Sequence, residues 1–176
     1  MPPESDFRAL VSVPDVSSPS VSLLSGTWQL GASNLPNWLS GERRSPTVSY
    51  EPVPGRPLSL IHSVSYTLST GESTRISAIA TLRRGMFIGR DRRLHKIFPS
   101  KWWVVGASGD QAIVVVRFAK TRATPAGINV LVRRDASVPN LRGVVAHEHE
   151  NFGLSPEEFA RLTWFDPTAS TGRRRR

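Results

Sequence analysis

The sequence predicts an all-β fold, an antiparallel up-and-down barrel of eight or nine strands with one helix near the C-terminus. Two observations predict it. Apolar and polar residues alternate with a period of two over most of the chain, and turn residues separate these stretches at short, regular intervals. The 176 residues suffice for one domain with a sizeable core, and the chain has no cysteine that could crosslink it.

Two predicted hairpins contain the clearest strands. In residues 58–68 the even positions carry Leu, His, Val and Tyr and the odd ones mostly Ser and Thr, so we expect the even face to be buried; a turn at 69–72 leads to a partner strand at 76–83. A second hairpin joins an aromatic strand at 102–107 to a valine-rich strand at 112–118. Further strands are predicted at residues 27–31, 47–52, 86–89, 128–133 and 161–165.

The helix is predicted over residues 140–151, where apolar side chains recur on one face. Serine, proline and glutamate at positions 155, 156 and 158 form a capping sequence, which predicts a further short helical turn. We assign residues 25–166 to the barrel domain and residues 167–176 to a disordered basic tail. Residues 1–24, rich in proline and serine, form an extension; we expect it to close the mouth of the barrel as a lid, and the alternative is a frayed terminus.

The chain is basic, with a formal net charge of +9 from 23 basic and 14 acidic residues, of which four arginines close the sequence. No nucleic-acid recognition motif accompanies this charge, and arginine pairs at 43–44, 83–84 and 92–93 fall at predicted strand ends, as on a solvated rim. No apolar run is long enough to cross a membrane, and no signal peptide opens the chain. We therefore expect a cytoplasmic protein, monomeric or homodimeric, that binds neither nucleic acid nor a membrane.

Three segments carry a family resemblance. Gly26 and Trp28 open the first strand with a Gly-x-Trp sequence, residues 102–116 combine an aromatic strand, an Asp turn and an apolar strand, and residues 131–133 end a strand in Arg133 ahead of the helix. In this order they resemble the conserved regions of the lipocalin family over roughly residues 25–166. The resemblance implies a closed barrel end where the Arg133 guanidinium packs on the Trp28 indole. The sequence departs from the family at Gln111, where an aromatic residue is expected, and in having no export signal or lipid-anchor cysteine.

The resemblance also implies a calyx that holds a small hydrophobic molecule, and its walls define the candidate site. We expect catalytic contacts from three polar side chains, His62, Tyr66 and Gln111, for each of which a purely structural role is the alternative. We expect ligand contacts from aromatic and apolar side chains of the calyx and the lid, namely Trp38, Tyr50, Trp102, Trp103, Phe7 and Leu10.

The sequence lacks a phosphate-binding glycine loop, a nucleophile elbow and paired carboxylates on a common strand face, which removes support for nucleotide-dependent and hydrolytic chemistry. His147 and His149 are two residues apart on the predicted helix and point in different directions, so we expect no metal site. We also expect no cofactor.

Three functions stay open. The favoured one is a cyclase of natural-product biosynthesis, of the kind that some bacterial lipocalin-like barrels perform, in which the calyx templates an intramolecular [4+2] cycloaddition. Such a reaction needs no cofactor, because holding a flexible polyene in a reactive shape removes entropy from the barrier. The alternatives are a non-catalytic intracellular carrier or sensor of a lipid or pigment, and a haem-binding or isomerase barrel with His62 as ligand.

Overall fold

The computed structural model describes residues 19–91, 100–122 and 125–165, which form a closed antiparallel barrel. The strands are β1 (Gly26–Ser33), β2 (Arg43–Val53), β3 (Arg56–Leu68), β4 (Ser73–Arg83), β5 (Met86–Asp91), β6 (Ser100–Ala107), β7 (Ile113–Phe118), β8 (Gly127–Arg133) and β9 (Thr163–Trp164). The helices are α1 (Pro19–Leu24), α2 (Pro36–Leu39), α3 (Leu141–His147) and α4 (Pro156–Ala160).

Strands β2 to β8 pair in sequence order, and β1 closes the barrel by pairing with β8 on one side and β2 on the other. The short β9 pairs with the far end of β1. The predicted up-and-down barrel of eight or nine strands is therefore confirmed. All nine predicted strands are present, although β9 is two residues long because only Thr163 and Trp164 reach β1.

The two ends of the barrel differ. The β1–β2 and β3–β4 connections lie at the open end, and the turns β2–β3, β4–β5 and β6–β7 lie at the closed end. Helix α1 packs at the closed end, where Val21 lines a small crevice together with Pro54 of the β2–β3 turn. Residues 19–24 of the predicted lid thus lie at the opposite end from the mouth. Phe7 and Leu10 fall outside the described residues.

The barrel has an inner and an outer core. Trp28, Tyr50, Leu60 and Trp102 belong to the inner core, which confirms the even face of β3 as the inward one. The outer core lies between the barrel wall and the C-terminal segment; its buried members are Ala32, Ile113, Val115, Ile128, Val130, Val145, Phe152, Leu154 and Leu162. Because β7 and β8 are covered on both faces, they are almost continuously apolar instead of alternating.

The two C-terminal helices begin at residues whose side chains cap them. Asn140 caps α3 by accepting a hydrogen bond from the main-chain N–H of Gly143, and the helix ends at His147, four residues earlier than predicted. Ser155 and Glu158 form the predicted capping box of α4. Within the described part of the chain, every helix is too short to cross a membrane as an apolar span.

Candidate functional site

The closed end of the barrel is plugged by Trp28 and Arg133, which face each other across β1 and β8. The guanidinium carbon of Arg133 lies 4.4 Å from the centre of the Trp28 ring, so the expected cation-π contact is present. Arg133 also donates hydrogen bonds to the main-chain oxygens of Leu23 (2.8 Å), Ser25 (3.0 Å) and Gln111 (3.0 Å). One arginine therefore joins α1, β8 and the β6–β7 turn, which is a structural role.

Gln111 lies in that turn, and its side chain is exposed at the closed end. It has a left-handed backbone with φ of 57°, and its carbonyl oxygen is the group that accepts from Arg133. The structure thus corrects the expectation that Gln111 faces the calyx. The turn between β6 and β7 takes the residue out of both strands, so strand alternation does not apply to it.

In the barrel interior, four ring side chains form an aromatic cluster: Tyr50, His62, Phe87 and Trp102. The rings of Tyr50 and His62 are stacked with centres 4.9 Å apart, and the His62 and Trp102 rings lie 5.4 Å apart. Trp102 stacks on Phe87 at 4.4 Å. Three sequence-predicted site residues, Tyr50, His62 and Trp102, therefore come together in the interior.

The polar atoms of this aromatic cluster are uncharged at neutral pH. Burial lowers the pKa of His62 to about 4 and raises the pKa of the Tyr50 phenol well above its usual value. The Trp102 Nε1–H is fully buried and has no hydrogen-bond partner among the described residues. An unpaired buried donor is unusual, since nearly all such groups in folded proteins are bonded.

At the open end, Trp38, Tyr66 and Arg43 form a second group, here called the mouth cluster. Trp38 of α2 meets Tyr66 edge to face with ring centres 5.9 Å apart. The Arg43 guanidinium carbon lies 4.7 Å from the centre of the Tyr66 ring and 5.7 Å from that of Trp38. Two predicted contacts, Trp38 and Tyr66, therefore lie at the mouth rather than beside His62.

Arg43 was expected on a solvated rim, and the structure corrects this. It is paired with Leu68, whose side chain packs against the inner core, so Arg43 faces inward too. The register of β2 shifts between Arg44 and Thr47, with Ser45 at a positive φ of 49°. A bulge of this kind reverses which residues of the strand face inward, and no local sequence pattern indicates that it is present.

Trp103 lies on the outer face of β6, opposite Arg117, which binds Glu158 of α4. Neighbouring residues of a strand point to opposite faces, so Trp102 points inward and Trp103 outward. The structure therefore corrects the expectation that Trp103 contacts a ligand in the calyx.

A cleft of about 680 Å³ opens beside the mouth cluster, where β1 and β2 part. We call it the seam cleft; its lining residues used below are Leu30, Trp38, Arg43, Arg44, Arg134 and Phe165. Sequence reasoning did not find it, because its walls come from β1, α2, β2 and the segments that follow β8 and β9, which only the closed barrel brings together.

No protein-family model matches the chain, and no curated protein matches its sequence. Solved structures do match in fold. A biogenic amine-binding protein superposes with a TM-score of 0.61 at 12% identity, covering 88% of this chain and 84% of that one. Lobster apocrustacyanin A1 gives 0.56 at 8% identity, with 81% and 77% covered. The siderocalin Ex-FABP, described as functioning through dual ligand specificities, gives 0.51 at 10% identity, with 81% and 93% covered.

These neighbours are lipocalin and calycin proteins. Their superpositions cover 81–88% of this chain at sequence identities of 8–12%. Together with strand order and the Trp28–Arg133 contact, they show that the protein has a lipocalin-like fold.

Proposed function

We propose that the protein binds a hydrophobic small molecule inside the barrel, with a hydrogen-bond acceptor such as a carbonyl oxygen facing the aromatic cluster. The observation that carries this proposal is the buried Nε1–H of Trp102, for which the described part of the chain offers no hydrogen-bond partner. Leaving such a donor without an acceptor costs about 1–3 kcal/mol, which a ligand oxygen would recover.

The character of the inner wall supports the proposal. Several apolar residues that pack against the inner core stay only partly buried: Val64, Leu68, Leu82, Val104 and Phe118. An apolar wall with few polar groups is typical of small-molecule sites. The neutral imidazole of His62 adds one donor and one acceptor without a charge to desolvate. The fold neighbours named for siderophores and amines are consistent with a bound small molecule, and they do not identify it.

The finer proposal is that the bound molecule is a flexible polyene, which the barrel folds for an intramolecular [4+2] cycloaddition. In this reaction three π bonds become two carbon–carbon σ bonds and one π bond, and no atom is gained or lost. Hydrogen bonds from Trp102 and His62 to a conjugated carbonyl would lower the barrier, and the wall would hold the chain in a reactive shape. Gln111 has no part in this arrangement, whereas Tyr66 stands at the entrance.

The decisive variant is Trp102→Phe, which keeps an aromatic ring next to Phe87 and removes the indole N–H together with the five-membered ring that carries it. The control is Trp103→Phe, the same change one residue away on the outer face. Wild type and both variants are purified in parallel, and the small molecule that co-purifies is quantified after denaturing extraction and its affinity measured. We expect affinity to fall at least about fivefold in Trp102→Phe, which corresponds to the loss of one hydrogen bond, and to stay unchanged in the control. Equal affinity in both variants would contradict the proposal.

The nature of the extracted molecule separates the cyclase from the alternatives. A cycloaddition product has the same mass as its substrate, so chromatographic retention and loss of the polyene absorption band are the readouts. A linear polyene that conversion assays return unchanged, or a lipid or pigment, indicates a carrier. A Soret absorption band that His62→Phe abolishes indicates haem.

We also propose that the N-terminal extension closes the mouth of the barrel as a lid. Because residues 19–24 pack at the closed end, the variant that tests it deletes residues 2–18 and leaves α1 in place. A lid predicts faster ligand release from the shortened protein. An unchanged release rate would rule the lid out.

A further inference from the structure

The seam cleft exists because β1 and β2 pair over only part of their length. Their pairing runs from Gly26 opposite Tyr50 to Gln29 opposite Thr47, and beyond it β1 pairs with β9. At this point β2 bulges at Ser45, whose φ of 49° is strained for a residue with a side chain. Strained backbone of this kind clusters at binding sites, and here it lies where the pairing of β2 with β1 ends.

The charge of the seam cleft has one sign. Arg43, Arg44 and Arg134 all line it, and no carboxylate is among its lining residues in the part of the chain that the structure describes. None of the three arginines forms an ion pair with another described residue. Within the described ranges no carboxylate neutralises this positive charge, which favours an anion.

The floor of the cleft is apolar. Leu30 and Trp38 belong to the inner core with exposed fractions of 5% and 8%, and Phe165, which also lines the cleft, packs against that core. The aromatic faces of Trp38 and Tyr66 hold the Arg43 guanidinium where this floor meets the solvent. A cationic rim over an apolar floor matches a molecule with an acid group at one end and a hydrocarbon body at the other.

We infer that the seam cleft is a second binding site, which takes an amphiphilic carboxylate. The carboxylate lies among the arginines, whose planar guanidinium groups pair with it through two parallel hydrogen bonds. The hydrocarbon part covers the apolar floor. The cleft volume of about 680 Å³ lies within the range of small-molecule pockets. This inference goes beyond the proposed function, because the interior site offers only uncharged polar groups and so favours a neutral ligand.

Isothermal titration calorimetry with dodecanoate, kept below its micelle concentration, tests the inference, and dodecanol is the neutral probe of matched length. We expect dodecanoate to bind at least about tenfold more tightly than dodecanol, and its affinity to fall as salt is added, because Arg44 and Arg134 are exposed. Equal affinity for the two probes would overturn the inference.

Two variants, Arg44→Gln and Arg134→Gln, assign the binding to the cleft. Both residues are exposed, so both variants should fold normally. The matched control is Arg142→Gln, an exposed arginine of α3 outside the cleft. We expect each cleft variant to weaken dodecanoate binding at least about threefold and the control to leave it unchanged. An equal loss in all three would show attraction to net charge alone and would overturn the inference.

The Trp102→Phe variant distinguishes this inference from the proposed function. If the seam cleft binds the carboxylate, Trp102→Phe binds dodecanoate as wild type does, whatever happens to the interior ligand. If Trp102→Phe loses dodecanoate while the cleft variants keep it, the carboxylate binds in the barrel interior and the inference is wrong. Failure of the interior site alone leaves the dodecanoate results in place.

Discussion

Replacing Arg133 with methionine should destabilise the closed end of the barrel, where this side chain joins α1 to β8. The substitution keeps the length and apolar stem of the side chain and removes the guanidinium. It deletes three hydrogen bonds to main-chain oxygens, those of Leu23, Ser25 and Gln111, and the cation-π contact with Trp28. Helix α1 would then be held by its two buried side chains, Val21 and Leu24, and by the Trp28 indole N–H, which donates to the Leu24 carbonyl oxygen at 2.7 Å.

The expected loss of stability follows from these contacts. Three hydrogen bonds at about 1 kcal/mol net each and a cation-π contact of about 0.5–1 kcal/mol total roughly 4 kcal/mol. Arg133 is only half-buried, so solvent screens part of this total and we expect a loss of about 3 kcal/mol in the free energy of unfolding. For a chain of this length the loss corresponds to a fall in Tm of roughly 6–12 °C.

Urea unfolding followed by tryptophan fluorescence measures the loss, and two further variants serve as references. Arg134→Met makes the same change at the next residue, which is exposed, and should stay within about 0.5 kcal/mol of wild type. Arg133→Lys keeps a charge near the indole but not the planar fork, and should lose about half as much as Arg133→Met. A loss below about 1 kcal/mol in Arg133→Met, or one equal to that of Arg134→Met, would refute the reasoning.

Three other predictions concern packing and pH. Gly106→Ala should cost at least about 2 kcal/mol in urea unfolding, because the new methyl would collide with the main chain after α3, whereas Gly109→Ala meets nothing and should be nearly neutral. Burial lowers the pKa of His62 from 6.5 to about 4, so between these two pH values the unfolded chain binds more protons than the folded one. The free energy of unfolding should therefore fall by up to about 3 kcal/mol as pH drops through this range. His62→Phe should flatten this pH dependence, and an imidazole of His62 that titrates near 6.5 by NMR would contradict the prediction. The hydrogen bond from Arg117 lowers the pKa of the Glu158 carboxyl, so this bond stabilises the fold at neutral pH and is lost as pH falls through and below 4.5. Glu158→Gln should cost about 1 kcal/mol or less in thermal unfolding at pH 7. The control Glu157→Gln, on the same helix, should cost still less.

The predictable part of the fold was local. Alternation with a period of two identified the strands because each barrel strand has one face toward the core, as in β3. The capping box of α4 was visible because Ser155 and Glu158 are three residues apart. The contact of Trp28 with Arg133 followed from resemblance to a family, since no local pattern joins residues so far apart in the chain.

The candidate site was only partly predictable, because the inward face of a strand depends on its register. His62 and Tyr50 were expected in the interior and lie there, stacked on each other. Gln111 was misassigned because a turn rotates it out of the strands, and Arg43 because the bulge at Ser45 reverses the face of β2.

By itself, the sequence determined that the protein is a basic, cysteine-free all-β barrel. It also placed the strands near their observed positions, because periodicity and turn chemistry act within a few residues. Only the tertiary structure decided which polar groups meet. Barrel closure buried the Trp102 N–H without a partner among the residues that the structure describes. The parting of β1 from β2 gathered three arginines from two distant segments around one cleft. Both depend on strand register and pairing across the whole chain, which small irregularities such as the bulge at Ser45 change and which local sequence does not encode.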